Sequence, residues 1–77
     1  MANEPEQLEI DIREDLDVSQ RASLVAKLEH ETGIVSAWFA GGDHHRLTIH
    51  FEPEHFSHET LLDTIKLHGF HGKIVEI

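Results

Sequence analysis

Cysteine is missing from this sequence altogether. Its absence excludes disulfides, thiolate zinc sites, iron–sulfur clusters and cysteine nucleophiles together. Long apolar runs are missing too, since no stretch approaches the roughly 20 residues needed to cross a bilayer. The N-terminus, MANEPEQ, is acidic where a signal peptide would be basic and then apolar. We therefore expect a cytoplasmic protein, or part of a larger one, that does not insert into a membrane.

Positive charge is scarce. Six Lys and Arg residues stand against fifteen Asp and Glu residues, and the formal net charge is −9 with neutral histidines. Binding to nucleic acid depends on neutralising phosphates with Lys and Arg, so we expect no nucleic-acid partner. Cations and basic proteins fit the sign of the charge better. A chain of 77 residues is long enough for one domain with one small core.

Catalytic motifs are also missing. The four serines lie in no nucleophile motif, and no glycine-rich phosphate loop occurs. Histidine with Asp or Glu can perform acid–base chemistry, but nothing in the sequence indicates a deep pocket. We therefore expect that the protein is not an enzyme.

Histidine, by contrast, is abundant. The chain has eight histidines, and five of them lie in residues 41–58, GGDHHRLTIHFEPEHFSH. Neutral imidazole is a ligand for Zn, Ni, Co and Cu(II). The segment is therefore either part of a metal site or a solvated surface that uses imidazole, and the order of the helices and strands bears on the choice.

Four stretches are typical of β-strands. Residues 8–12 (LEIDI) and 46–51 (RLTIHF) alternate apolar and polar side chains with period two. Residues 34–40 (IVSAWFA) are rich in β-branched and aromatic side chains, and residues 41–43 predict a hairpin turn before the next strand. A last strand is predicted for residues 73–77 (KIVEI).

Two helices are predicted between these strands. The first begins at Asp17, whose spacing to Gln20 is that of a capping box, and Gly33 stops it. The second begins at Ser57, and Gly69 ends it. Each helix has one apolar stripe: Ala22, Leu24, Val25 and Leu28 in the first, and Leu61, Leu62 and Ile65 in the second.

The order strand–helix–strand–strand–helix–strand predicts an α+β fold, the ferredoxin-like βαββαβ sandwich. Right-handed crossovers place both helices on one face of a four-stranded antiparallel sheet, with the strands in the spatial order 4-1-3-2. We predict one such domain over residues 7–77, preceded by a disordered lead at residues 1–6.

Several fold-bearing stretches resemble the heavy-metal-associated domain of copper chaperones and metal-pumping P-type ATPases. Gly33-Ile34 opens the hairpin, Phe51-Glu52-Pro53 ends the third strand, and Gly69-Phe70 ends the second helix, at the spacing usual in that family. The resemblance covers residues 7–77 and implies both the fold and a role in metal handling.

One feature of that family is missing here. Its members bind soft metal ions through a Cys-x-x-Cys motif in the loop that enters the first helix. The corresponding stretch of this chain, residues 13–22 (REDLDVSQRA), contains no sulfur. The resemblance therefore implies a variant without the Cys-x-x-Cys motif, which cannot carry Cu(I) by the usual mechanism.

Strand directions sort the histidines to the two ends of the sheet. The hairpin turn and the end of the second helix lie at the same end as the loop that enters the first helix. The candidate ligands at this end are His44, His45, His68, His71, Asp15 and Asp17. The candidates at the opposite end are His30, His55 and His58. We predict that Zn, Ni, Co or Cu binds at one of these ends; the alternative is that the histidines are solvated surface residues.

The sheet face without helices carries one unexpected residue, Trp38, in a set of polar side chains that includes His50. Trp38 either packs across the strands against Thr48 or His50, or forms a contact surface for a protein partner or a second copy of the chain.

These observations support two hypotheses. The first is a non-catalytic transition-metal-binding module, either the N-terminal domain of a metal-transporting P-type ATPase or a small metal chaperone. The second is a metal-independent regulatory or protein-docking domain of the same fold.

Overall fold

The computed structural model describes residues 4–41 and 43–75, without the side chains of residues 43 and 44. Its elements are, in chain order, β1 (Glu6–Ile12), α1 (Val18–Glu29), β2 (Ile34–Ala40), β3 (Asp43–Phe51), α2 (His58–Leu67) and β4 (Gly72–Ile74). The strands form one antiparallel sheet with the order β2-β3-β1-β4. The predicted ferredoxin-like fold and strand order are confirmed.

Three strands begin at residues other than those predicted. β1 starts at Glu6, inside the segment predicted as a disordered lead, because Glu6 pairs with Phe51. β3 starts at Asp43 rather than Arg46, because Asp43 pairs with Ala40. β4 covers residues 72–74, and the final two residues of the predicted last strand lie outside the described part of the chain.

The core lies between the sheet and the two helices, as the alternation of the strands predicts. Leu8 pairs with Ile49 and Ile10 with Leu47, and all four side chains are buried on the helical side. The helices contribute residues from both stripes, although Ala22 of the predicted first stripe is exposed. The buried core consists of Leu8, Ile10, Ile12, Leu16, Leu24, Leu28, Ile34, Ala37, Leu47, Ile49, Phe51, Phe56, Leu61 and Ile65.

Both predicted helix starts have the expected caps. The Asp17 carboxylate accepts a hydrogen bond from the Gln20 backbone N–H at 2.7 Å, and the Gln20 side chain accepts one from the Asp17 N–H at 3.0 Å. Ser57 Oγ accepts from the Thr60 N–H at 3.2 Å. These bonds satisfy backbone donors that the first helical turn leaves unpaired. Within the described residues, neither helix is long and apolar enough to cross a lipid bilayer.

The sheet face opposite the helices is open. Trp38 lies opposite Thr48 on the neighbouring strand, and Thr48 is buried although it is polar. This register is the one that the cross-strand interpretation of Trp38 requires, and the indole is 43% exposed. It is thus partly packed and partly presented to solvent.

Gly33, between α1 and β2, combines a left-handed backbone with close packing. Its φ is +100°, and a Cβ placed there would come within 2.5 Å of the His55 Cβ. Gly69, after α2, has a φ of +92° but open space around it. Both require the left-handed conformation that favours glycine, and only Gly33 adds a steric clash.

We expect Gly33→Ala to destabilise the protein by more than about 2 kcal/mol, because the conformational penalty and the overlap with His55 add. Gly69→Ala should cost about 1 kcal/mol, from conformation alone. Gly41→Ala, which meets no atom within 4 Å, is the control and should change little. Urea unfolding of the three variants measures their free energies of unfolding relative to the wild type. Equal losses of stability for Gly33→Ala and Gly69→Ala would contradict the steric argument.

Candidate metal site

The loop that enters α1, residues 13–17, is held in place at several points, and we call it the entry loop. The Arg13 N–H donates to the His71 carbonyl at 2.8 Å. Leu16 is buried in the core, and its carbonyl accepts a hydrogen bond from Arg21 Nη1 at 2.6 Å. The loop ends in the Asp17 cap described above. It is therefore a fixed polar loop at the end of the sheet.

Glu14 connects the entry loop to the segment between α2 and β4. One carboxylate oxygen accepts from the His71 backbone N–H at 2.8 Å, and the other lies 2.6 Å from His71 Nδ1. The hydrogen bond from the His71 ring, followed by the one from its backbone, lowers the pKa of Glu14 below its ordinary value. An ionised carboxylate can only accept, so His71 Nδ1 carries a hydrogen. In the neutral ring, the lone pair then belongs to Nε2.

His45 is oriented in the same way on the other side of the entry loop. Its Nδ1 lies 2.8 Å from the carbonyl oxygen of Ile12, the last residue of β1. A carbonyl can only accept, so Nδ1 carries the hydrogen and Nε2 of the neutral ring carries the lone pair. Metal-binding histidines are usually held by this kind of contact, from one ring nitrogen to a carbonyl or carboxylate oxygen.

Nε2 of His45 points toward Asp15. It lies 3.9 Å from the Asp15 Oδ1, and the Asp15 side chain is 92% exposed. Two ligands at about 2.1 Å from a tetrahedral metal are separated by about 3.4 Å. A shift of about half an ångström in the exposed carboxylate would give that spacing. His45 and Asp15 are therefore the two predicted ligands that could share a metal ion after such a shift.

His45 and His71 line the same cleft. Its volume is about 590 Å³, and its other lining residues are Asp11, Ile12, Arg13, Gly72 and Lys73. The cleft lies beside the entry loop, where β1 ends and β4 begins. Two predicted histidines and one predicted carboxylate thus lie at one end of the sheet, as the strand directions indicated.

The remaining candidates at this end have other surroundings. Asp17 is occupied as the helix cap. His68 follows α2, and its Nε2 is buried with no hydrogen-bond partner among the described residues. The side chain of His44 lies outside the described part of the chain.

The candidates at the opposite end are less convergent. His58 Nε2 lies 3.7 Å from Glu6 Oε2, and the His58 ring contacts Phe51 edge-on at 6.1 Å between centroids. His55 packs over Gly33, and His30 is an exposed residue at the end of α1. Within residues 4–41 and 43–75, no three His, Asp or Glu side chains are already close enough together to hold a metal ion. Metal binding by the predicted residues stays a prediction.

Comparison with known proteins gives similarity of fold. No protein-family model and no curated protein sequence matches the chain. Among solved structures, a copper binding domain from HMA7, a P-type ATPase, has a TM-score of 0.80 at 20% identity, over 91% of this chain and 93% of that one. The N-terminal domain of a potential copper-translocating P-type ATPase from Bacillus subtilis, in the Cu(I)-loaded state, has a TM-score of 0.78 at 18% identity, over 91% and 86% of the two chains. At these identities the likeness shows the fold.

The donor atoms of this chain fit a different class of metal from Cu(I). Thiolates are absent, and the entry loop offers only oxygen donors, with imidazole nitrogen from His45 and His71 beside it. Imidazole with carboxylate suits Zn, Ni, Co and Cu(II), whereas Cu(I) selects sulfur. The chain thus has a fold like that of these domains, with nitrogen and oxygen donor atoms in place of sulfur at the end of the sheet.

Sequence reasoning did not identify Glu14 as part of the site. Glu14 and His71 are 57 residues apart, and no local pattern relates them. Their contact depends on how the entry loop and the segment after α2 meet at the sheet end.

The lowered pKa of Glu14 predicts a pH-dependent stability. A carboxyl group stabilises the folded state when its pKa is lower in the folded protein than in the unfolded chain. This stabilisation is fully present above the pKa of the unfolded chain, and it is lost as the pH falls through the pKa of the folded protein. The unfolded pKa is close to the ordinary 4.5. Stability should therefore fall less steeply below pH 4.5 in Glu14→Gln than in the wild type.

Urea midpoints measured from pH 6 down to pH 3 in metal-free buffer with a chelator test this expectation. Glu54→Gln, which neutralises an exposed carboxylate in the loop before α2, is the matched control. If the urea midpoints of the wild type and Glu14→Gln fell in parallel with pH, the contact between Glu14 and His71 would contribute nothing to stability.

Proposed function

We propose that this chain is a non-catalytic metal-binding module that holds a divalent transition metal at the cleft beside the entry loop. His45 Nε2 and Asp15 are the first two ligands, and His71 Nε2 is the third. The observation that carries this proposal is the orientation of both imidazoles through Nδ1, by the Ile12 carbonyl and by the Glu14 carboxylate. Such contacts fix the tautomer and raise the basicity of the ligating nitrogen.

The ligand set favours Zn, Ni, Co or Cu(II) over Cu(I), Mg or Ca. One carboxylate and two imidazoles leave at least one coordination position open, as in sites that exchange their metal or a further ligand. Such a site suits a carrier or sensor better than a permanent structural metal. The net charge of −9 attracts cations to the surface from solution.

The fold similarity supports a role in metal transport. The similar solved structures are named as copper-binding or copper-loaded domains of P-type ATPases. By analogy, we assign this chain to the same kind of module, as the N-terminal domain of a metal-transporting P-type ATPase or as a small cytoplasmic metal chaperone. Replacing thiolate ligands by imidazole and carboxylate would change which metal is bound, while the fold stays the same.

We expect Zn²⁺, Ni²⁺ and Cu²⁺ to bind the intact chain with 1:1 stoichiometry at pH 7. In a two-dimensional NMR titration, saturable shifts with Zn²⁺, and saturable line broadening with the paramagnetic Ni²⁺ and Cu²⁺, should be centred on residues 12–16, 45–46 and 71–73. Cu²⁺ should bind most tightly, following the usual order of divalent metals at nitrogen and oxygen sites. Scattered and non-saturating shifts would contradict a specific site.

Single substitutions separate this site from the other histidines. His45→Ala should weaken zinc binding by about tenfold or more, because it removes a ligand. His30→Ala, at the opposite end of the sheet, is the matched control and should leave the affinity unchanged. If His30→Ala, His55→Ala or His58→Ala weakened binding and His45→Ala did not, the metal would belong to the opposite end.

The exposed half of Trp38 favours the second hypothesis, a protein-docking domain. If the open sheet face contacts a second copy of the chain, Trp38 and His50 would be buried there. Sedimentation would then show a concentration-dependent dimer that Trp38→Ala abolishes, without any effect of added metal. A wild-type chain that stays monomeric at high concentration would exclude this homodimer.

A further inference from the structure

The cleft beside the entry loop is larger than a metal ion needs. Its volume of about 590 Å³ falls within the range of pockets for small organic ligands, roughly 300–1,000 Å³. His45 and His71 line part of it, with Asp15 beside His45. The rest of the cleft therefore has space for a second, non-protein ligand.

Two cations line the same cleft. Arg13 follows the end of β1, Lys73 lies in β4, and both side chains are exposed. They account for two of the six Lys and Arg residues in a strongly acidic chain. Arg presents a fork of N–H donors that matches a carboxylate, and Lys presents a point charge. Both are suited to hold an anion next to the metal.

The balance of charge makes this binding depend on the metal. Arg13, Lys73 and Asp11 line the cleft, and their formal charges sum to +1. The carboxylates of Asp15 and Glu14 lie against His45 and His71 and bring the sum to −1, so the empty cleft has no net attraction for an anion. A divalent metal ion changes the sum to +1. Metal and anion should therefore bind with positive coupling, and each raises the affinity of the other by the same factor.

We infer that the cleft binds its metal together with a small carboxylate that completes the coordination sphere. This inference rests on the proposed function and names the form in which the metal is bound. One carboxylate group of the anion coordinates the metal at the position that His45, Asp15 and His71 leave open. A second carboxylate group accepts hydrogen bonds from Arg13 and Lys73. A dicarboxylate of malonate size has both groups.

Malonate tests this inference, because competition for zinc and formation of a ternary complex change the apparent zinc affinity in opposite directions. A free chelator competes with the protein, so malonate alone should weaken the apparent zinc affinity. A complex of protein, metal and malonate should strengthen it. We expect zinc binding, measured by calorimetry at pH 7, to be about five- to tenfold tighter in millimolar malonate than in perchlorate of equal ionic strength, a gain typical of added charge-assisted hydrogen bonds.

The double substitution Arg13→Gln, Lys73→Gln should remove this gain. In perchlorate it should not weaken zinc binding, because it only removes positive charge from beside the metal. Lys27→Gln with Lys66→Gln, in the last turns of α1 and α2, makes the same change in charge away from the cleft and should retain the gain. Backbone NMR spectra of both variants establish that the fold is preserved.

The outcomes separate the two proposals. The carboxylate inference is overturned if malonate weakens zinc binding by the wild type. It is also overturned if the gain in zinc affinity survives the Arg13 and Lys73 substitutions. Either result leaves the metal-binding function in place. No zinc binding in either perchlorate or malonate overturns the metal-binding function and this inference with it. A gain lost only in the cleft variant supports both.

Discussion

Strand β1 is paired on both sides, and the rest of the structure depends on that position. Its inward side chains, Leu8, Ile10 and Ile12, belong to the core that both helices cover. Packing at this density holds the end of the strand in place. The carbonyl of Ile12 then fixes the ring of His45, and the next residues form the entry loop. The site is therefore positioned by the core.

The entry loop illustrates how one scaffold can carry different chemistry. Without cysteine, it cannot supply thiolates, yet it is held by Leu16 in the core, by backbone contact with His71 and by the Asp17 cap. A loop with this many contacts presents whatever side chains it has in a defined place. Here these are carboxylates, with imidazoles from β3 and from the residue before β4 beside them. In the proposed function, this change of donor atoms would change the class of metal, and it requires no change of fold.

Local sequence patterns predicted most of the fold, because strand periodicity and helix capping depend on residues that are close together in the chain. Alternation with period two gave the buried face of β1 and β3, and the spacing from Asp17 to Gln20 gave the start of α1. The strand order followed from connection rules. The differences were also physical: Ala22 fits the spacing of a stripe but is exposed, and the core includes Leu16, a loop residue that no periodic pattern predicted. Burial depends on which elements meet, which periodicity does not encode.

The sequence alone determined the topology, the helix caps, the exclusion of thiolate chemistry and the end of the sheet at which His45 and His71 lie. Only the tertiary structure decided that His71 meets Glu14, that His45 meets Ile12 and Asp15, and that Arg13 and Lys73 line the same cleft. These contacts join residues tens of positions apart, across elements whose relative placement is set by core packing. Side-chain direction at such meeting points is a property of the assembled fold, so it leaves no repeating signal along the chain.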